Sequence, residues 1–474
     1  MKQTLLSHFL GAVLVCAITH AADKPNLVHI VADDLGWKDV GFNGCNDIKT
    51  PNLDRLAEGG AILTQFYAQH LCTPTRAALL TGRYPFRYGL QTVVIPSVAT
   101  YGLDTSEYLL PQCLKEAGYK TAIIGKWHLG HGDKKFWPKQ RGFDYQYGAL
   151  IGELDYFTHE EHGVLDWYRN NKPVREKGYT TQLLGKDAVK WINAQVPGQP
   201  FYLYLAFNAP HTPYQAPKEY IDRYNSIADP TRRTYAGMVA CLDDEIGRVV
   251  AALDQKGLRQ NTLIVFQSDN GGTFDATFTG VMADVSKIKI PCDNGPYRDG
   301  KGNLYEGGTR VCALANWPGR IKPSSRVDGL IHAVDLYPTF AALAGASTAR
   351  CKPLDGLDVW SAIAEGRPSP RTEVIYNIEP YRAALRQGDW KLVWRTILPA
   401  KVELFNLAED PSEKSNLAAA NPDRVAALQR RANELAEGAA KPLFLLEQLR
   451  VVMKNMQGEP VLPGEDGFDS GDLP

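Results

Sequence analysis

No Asn-x-Ser/Thr triplet occurs anywhere in the 474 residues. An exported animal enzyme would ordinarily carry such N-glycosylation acceptors, so their absence favours a bacterial origin. There is no Cys-x-x-Cys and no Cys/His spacing of the zinc-finger kind, which excludes the common structural zinc modules and the thioredoxin-type redox pair. Internal repeats and low-complexity tracts are missing too, which excludes a solenoid or a disordered scaffold. Beyond the first 22 residues no apolar run is long enough to cross a bilayer. Charge of one sign is also lacking. A formal net charge of -1 gives no global attraction to nucleic acid or an anionic membrane, so an anionic substrate would have to meet local positive charge.

What is present is an ordinary globular composition, 44% hydrophobic and 22% charged, in a chain long enough for about two domains. Residues 1–22 read as an export signal, with Lys2 as the basic start, Phe9 to Ile18 as the apolar stretch and small residues around Ala21 for cleavage. Cys16 is preceded by Val15, which fits a lipoprotein box poorly. The expected location is therefore the bacterial periplasm or the extracellular space. Setting Cys16 and Cys72 aside leaves Cys45, Cys113, Cys241, Cys292, Cys312 and Cys351, whose pairing, if any, the spacing does not select.

Short apolar runs alternate with helical periodicity along most of the chain. Leu27 to Ala32, Thr121 to Ile124, Phe201 to Phe207 and Leu263 to Ser268 read as buried strands. Thr50 to Ala57 reads as a capped helix, Ala61 to Tyr67 as one strand, and Leu109 to Ala117, Thr180 to Val196 and the Tyr235 to Leu253 stripe as helices. Phe136 to Gly152 reads as loop and residues 273–300 as a long excursion. After about residue 370, strands at 373–378, 383–386, 390–395 and 402–406 are followed by a helix at 424–436. The expected fold is thus α/β: a large, mostly parallel sheet covered on both faces, plus a smaller C-terminal antiparallel sheet with a helix. The expected division is a leader at 1–22, a main domain at 23–371 and a C-terminal subdomain at 372–474.

Each buried strand delivers a polar motif just past its carboxyl end. These are Asp33-Asp34, Gly125-Lys126-Trp127-His128, Asn208-Ala209-Pro210-His211 and Asp269-Asn270-Gly271-Gly272. Open α/β sheets bind ligands in the crevice outside those ends. Lys126 and His128, two apart, project to one side if the backbone is extended. Asp33, Asp34, Asp269 and Asn270 offer only oxygen, which suits a hard cation, Ca²⁺ before Mg²⁺.

The stretch Cys72-Thr73-Pro74-Thr75-Arg76 opens a helix that Gly82 ends, with Thr73 placed to cap it and Arg76 on the same face as Cys72. A thiol there would lie in a positive field. Continued as Ala77 to Arg83, the string resembles the signature of type I sulfatases, in which the cysteine is converted to formylglycine. The resemblance extends from about Pro25 to the final helix and is most like the arylsulfatase B (N-acetylgalactosamine-4-sulfatase) branch. It implies an alkaline-phosphatase-like α/β/α sandwich and a sulfuric ester hydrolase acting on a sulfated oligo- or polysaccharide. It further implies one Ca²⁺ held by Asp33, Asp34, Asp269, Asn270 and the modified Cys72, and a maturation enzyme as partner. The catalytic set it implies is Cys72, Arg76, Lys126, His128, His211 and Lys301, with Lys126, His211 and Lys301 on the sulfate. Two other readings remain open at this stage: a phosphonate or phosphate monoester hydrolase of the same superfamily, and a non-catalytic carbohydrate-binding relative.

Overall fold

A computed structural model describes residues 24–161, 163–273, 290–396 and 399–456. The expected leader, most of the 273–300 excursion and the acidic end after Gly458 lie outside the described residues.

Among the described residues the central sheet has ten strands. Five neighbours run parallel: Thr262–Ser268, Asn26–Ala32, Phe201–Ala206, Lys120–Gly125 and Tyr145–Gly148. Every residue of Asn26–Ala32 is buried, as expected of a strand covered on both faces. Its side chains divide by period two. Leu27 and Val31 join a core with the Cys72–Thr81, Leu110–Glu116 and Leu336–Ala344 helices. Val28, Ile30 and Ala32 join a core with Pro51–Glu58, Thr180–Asn193 and Pro230–Gln255.

The register sets the site. Val31 pairs with Ala206, Ala206 with Gly125, and Ala32 with Ser268, so four strands finish level. The ladder then continues into the motifs themselves. Asp33 N donates to Ala209 O at 3.1 Å, Lys126 N to Ala206 O at 2.8 Å and Asp269 N to Ala32 O at 2.9 Å.

The C-terminal strands Glu373–Ile378, Arg382–Gln387, Trp390–Arg395 and Lys401–Asn406 form the expected antiparallel sheet, in chain order. One face takes the Pro422–Glu437 helix through Leu428, Ala432 and Leu435, together with Tyr84 and Phe86 of the main body. The other packs Val374, Tyr376 and Phe405 on Tyr67, Leu304 and Tyr305.

Four local expectations fail. Ala61 to Tyr67 is two strands, Ala61–Leu63 in the central sheet and Phe66–Tyr67 beside Ile331–His332. The 136–152 stretch includes the sheet strand Tyr145–Gly148, which its glycines and aromatics conceal from a periodicity reading. Thr50 and Thr73 do not cap. Thr50 Oγ1 accepts from Gly41 N and donates to Asp54, while Thr73 Oγ1 donates to His128 O and accepts from Ile95 N. Thr73 is claimed by partners outside its helix, and Thr50 by Gly41 and the Asp54 side chain, so neither hydroxyl is left for the first-turn N–H groups.

Candidate active site

Beyond the level strand ends lies a buried cluster of charges. Asp33, Asp34, Asp269, Arg76 and Lys126 are each no more than 1% exposed, and Lys301 is 5% exposed. Each acid faces a base. Lys126 Nζ donates to Asp33 Oδ2 at 2.6 Å, Lys301 Nζ to Asp34 Oδ2 at 2.8 Å, and Arg76 Nη2 to Asp269 Oδ2 at 2.8 Å. Arg76 Nη2 also lies 3.4 Å from Asp33. Three carboxylates and three cations cancel, which makes so much buried charge tolerable.

Cys72 sits at the start of its helix, with Sγ 3.4 Å from Asp33 Oδ1. The expected positive field does not prevail. Burial, then Asp269 and Asp33, push the thiol well above its usual range, so an unmodified Cys72 is neutral and a weak nucleophile. His211 is lowered to about 3 by burial and by Lys301, whose Nζ lies 3.0 Å from Nε2. Its neutral ring therefore accepts from the lysine. His128 is also held well down by burial, Lys126 and Arg76.

The geometry expected for Lys126 and His128 is not an extended backbone. His128 has φ +56, in the left-handed region, and its ring packs on Gly152 with Nε2 3.1 Å from Ile95 O. Asp34 is left-handed too, at φ +60. Left-handed non-glycine residues are uncommon and gather at functional sites.

Ligand atoms of Asp33, Asp34, Cys72 and His211 all lie within 4.8 Å of one another. Asn270 Nδ2 donates to Asp34 Oδ1 at 2.7 Å, while the buried Asn270 Oδ1 has no partner. An orphaned carbonyl oxygen beside buried carboxylates is a donor set compatible with a hard divalent cation. The structure adds His211 to the expected oxygen cluster. It also adds Thr273, the residue directly after the Asp269-Asn270-Gly271-Gly272 motif, whose hydroxyl donates to Asp34 Oδ2 at 3.3 Å. Every described cysteine is a thiol, so no disulfide enters the site.

Comparison with known proteins bears on this arrangement. A family description, Sulfatase, matches residues 25–346. The chain belongs to the sulfatase family. A second description, N-sulphoglucosamine sulphohydrolase C-terminal, matches residues 297–438 of this sulfatase-family chain. Mouse arylsulfatase J is 36% identical over 397 residues, covering 81% of this chain and 64% of that protein, so the match spans less than two thirds of that relative. Human N-acetylgalactosamine-6-sulfatase is 35% identical over 384 residues, covering 77% of this chain and 70% of its own length. Among solved structures, Ps i-CgsB in complex with k-i-k-neocarrahexaose aligns with TM-score 0.80 and 34% identity, covering 94% of this chain and all of that one. The type I sulfatase resemblance and the alkaline-phosphatase-like fold thus stand. Resemblance to arylsulfatase B in particular does not emerge from these relatives.

Proposed function

We propose that this chain, exported to the bacterial periplasm or the extracellular space, hydrolyses sulfate esters of a sulfated galactose- or galactosamine-type carbohydrate after a maturation enzyme has oxidised Cys72 to formylglycine. The observation that carries the reading is the pairing of Lys126, Lys301 and Arg76 with three buried carboxylates around Cys72. Those cations are already in place to receive the oxygens of a tetrahedral anion. A divalent cation, Ca²⁺ before Mg²⁺, would be held by Asp33, Asp34, Asp269 and Asn270 and would supply positive charge beside the nucleophile.

In this scheme one hydroxyl of the formylglycine hydrate gives its proton to Asp33, whose Oδ1 lies 3.4 Å from Cys72 Sγ, its oxygen attacks sulfur, and the sulfur–oxygen bond to the sugar breaks. Lys126, Lys301 and His211 hold the sulfate oxygens, and one of them gives the departing alkoxide its proton. His128, neutral for the reasons given above, takes the proton of the remaining hydroxyl. The carbon–oxygen bond to sulfate then breaks and the aldehyde returns. Residues 23–371 would form the catalytic domain and residues 372–474 a subdomain against it.

The substrate class rests on the relatives, one named N-acetylgalactosamine-6-sulfatase and another solved in complex with k-i-k-neocarrahexaose. The test is sulfate release from defined 4-O- and 6-O-sulfated galactose and galactosamine oligosaccharides, with aryl phosphonates and phosphates alongside. Turnover of the sulfate esters, falling at least about 10³-fold in Cys72→Ala, is the expected result. Full activity in Cys72→Ala, or preference for the phosphorus esters, would overturn the reading.

A further inference from the structure

Lys301 comes from a segment with little structure of its own: residues 290–305 form neither helix nor strand. Around Lys301 itself the backbone is tied by Lys301 N on Gly272 O at 3.1 Å and by Gly302 N on His70 O at 2.8 Å. Upstream, Asn294 exchanges hydrogen bonds with the Gly272 backbone and Arg232 donates to Pro291 O. At Gly302 further support comes from the C-terminal sheet. Arg382 donates from Nη1 to Gly302 O at 3.0 Å, from Nη2 to His70 Nε2 at 3.0 Å and from Nε to Glu379 Oε1 at 2.9 Å. His70 is held neutral by burial and by Arg382, which suits its role as acceptor. At the other end of the segment, the fully buried Lys391 donates to Glu306 Oε1 at 3.0 Å and lies 2.9 Å from Glu413 Oε1. Glu413 Oε2 accepts from Glu306 N at 2.6 Å.

The 301–309 segment that carries both clamps touches the site twice. Its start presents Lys301 to Asp34. Its end cradles the Asn270-Gly271 turn, with Gly271 N donating to Gly308 O at 2.9 Å. The approach is so close that a Cβ on Gly271 would lie 1.7 Å from Gly307 O.

We propose that Arg382 and Lys391 are positioning residues. They act through the 301–309 segment to set Lys301 against Asp34 and to aim the Asn270 carbonyl oxygen into the acidic cluster. The C-terminal sheet is then a working part of the site, although neither residue touches the reacting atoms. The inference deepens the proposed function, since it assigns these residues to the placement of a sulfate-binding lysine.

The test uses the full-length matured protein carrying Arg382→Gln, Arg382→Lys or Lys391→Met, each also combined with Lys301→Ala. Two measurements are made on preparations matched for melting temperature: aryl sulfate turnover, and the rate at which acetic anhydride labels Lys301, read by peptide mass spectrometry. Arg382→Gln is expected to lower kcat about 10-fold, but to cost nothing further once Lys301 is alanine. Lys301 should label several-fold faster, and Arg382→Lys should recover part of both effects. Equal labelling in parent and variant, or an equal loss with and without Lys301, overturns the inference. Should Arg382→Gln fail to fold, Arg382→Lys and Lys391→Met carry the same two measurements. A parent that turns over no sulfate ester would overturn the proposed function instead, and the labelling rate would still decide the positioning.

Discussion

At residue 72 the surroundings do the opposite of what a thiol nucleophile needs. Two carboxylates and complete burial hold the proton on sulfur. The same surroundings suit an uncharged aldehyde hydrate, whose attack is assisted by neighbouring cations rather than by prior ionisation. Mass spectrometry of the peptide spanning residue 72 should therefore find sulfur replaced by a carbonyl oxygen when the maturation enzyme is co-expressed. A protein showing the unmodified thiol together with full turnover would defeat that expectation. The pairs around it are equally testable. Asp33→Asn leaves Lys126 fully buried without its nearest counter-charge. Breaking such a pair should cost about 3 kcal/mol of stability, measured by urea unfolding.

Among the supporting elements, the stretch after Tyr145–Gly148 backs His128. Trp127 N and His128 N donate to Ala149 O and Leu150 O, and the buried Asp166 carboxylate accepts from Leu150 N and Ile151 N. Burial raises Asp166 from 3.8 to about 6 in spite of those two bonds. The folded state thus holds a proton that the unfolded chain gives up earlier. Stability associated with Asp166 is present at low pH and is lost as pH rises through about 4 to 6. The gap corresponds to about 3 kcal/mol. Urea titrations at pH 4.5 and 7.5 (conditions of about those values, chosen to bracket the change) should show Asp166→Asn gaining on the parent at the higher pH. A pH-independent difference would contradict this. The parallel strands were readable because both of their faces are apolar. The four-residue strand Tyr145–Gly148 was not, because its place is set by pairing with Ala122 to Ile124 rather than by its own composition.

For the molecule as a whole, the C-terminal sheet covers apolar surface of the main body, including Tyr84, Phe86, Tyr67, Leu304 and Tyr305. A chain ending at residue 371 should expose that surface and aggregate, as size-exclusion chromatography would show. If the acidic cluster takes a divalent cation, Ca²⁺ at about 100 times its Kd should raise the unfolding free energy by about 2.7 kcal/mol, and a chelator should reverse it. An unchanged melting temperature in both arms would count against a resident metal. Among the described residues no helix is long and apolar enough to cross a membrane.

Local order along the chain carried the four central parallel strands, the helix starting at Cys72, the four polar motifs and the C-terminal sheet, since each follows from residues a few positions apart. It also named the groups that meet, because level parallel strands bring their carboxyl ends to one crevice. The protonation of Cys72, the left-handed turn at His128, the entry of His211 and Thr273 into the acidic cluster, and the clamps at Arg382 and Lys391 came from folding alone. Each depends on burial or on a partner far away in the chain; Arg382 reaches Gly302 across 80 residues. Spacing in a sequence holds no record of such contacts, because the fold creates both the low dielectric and the encounter.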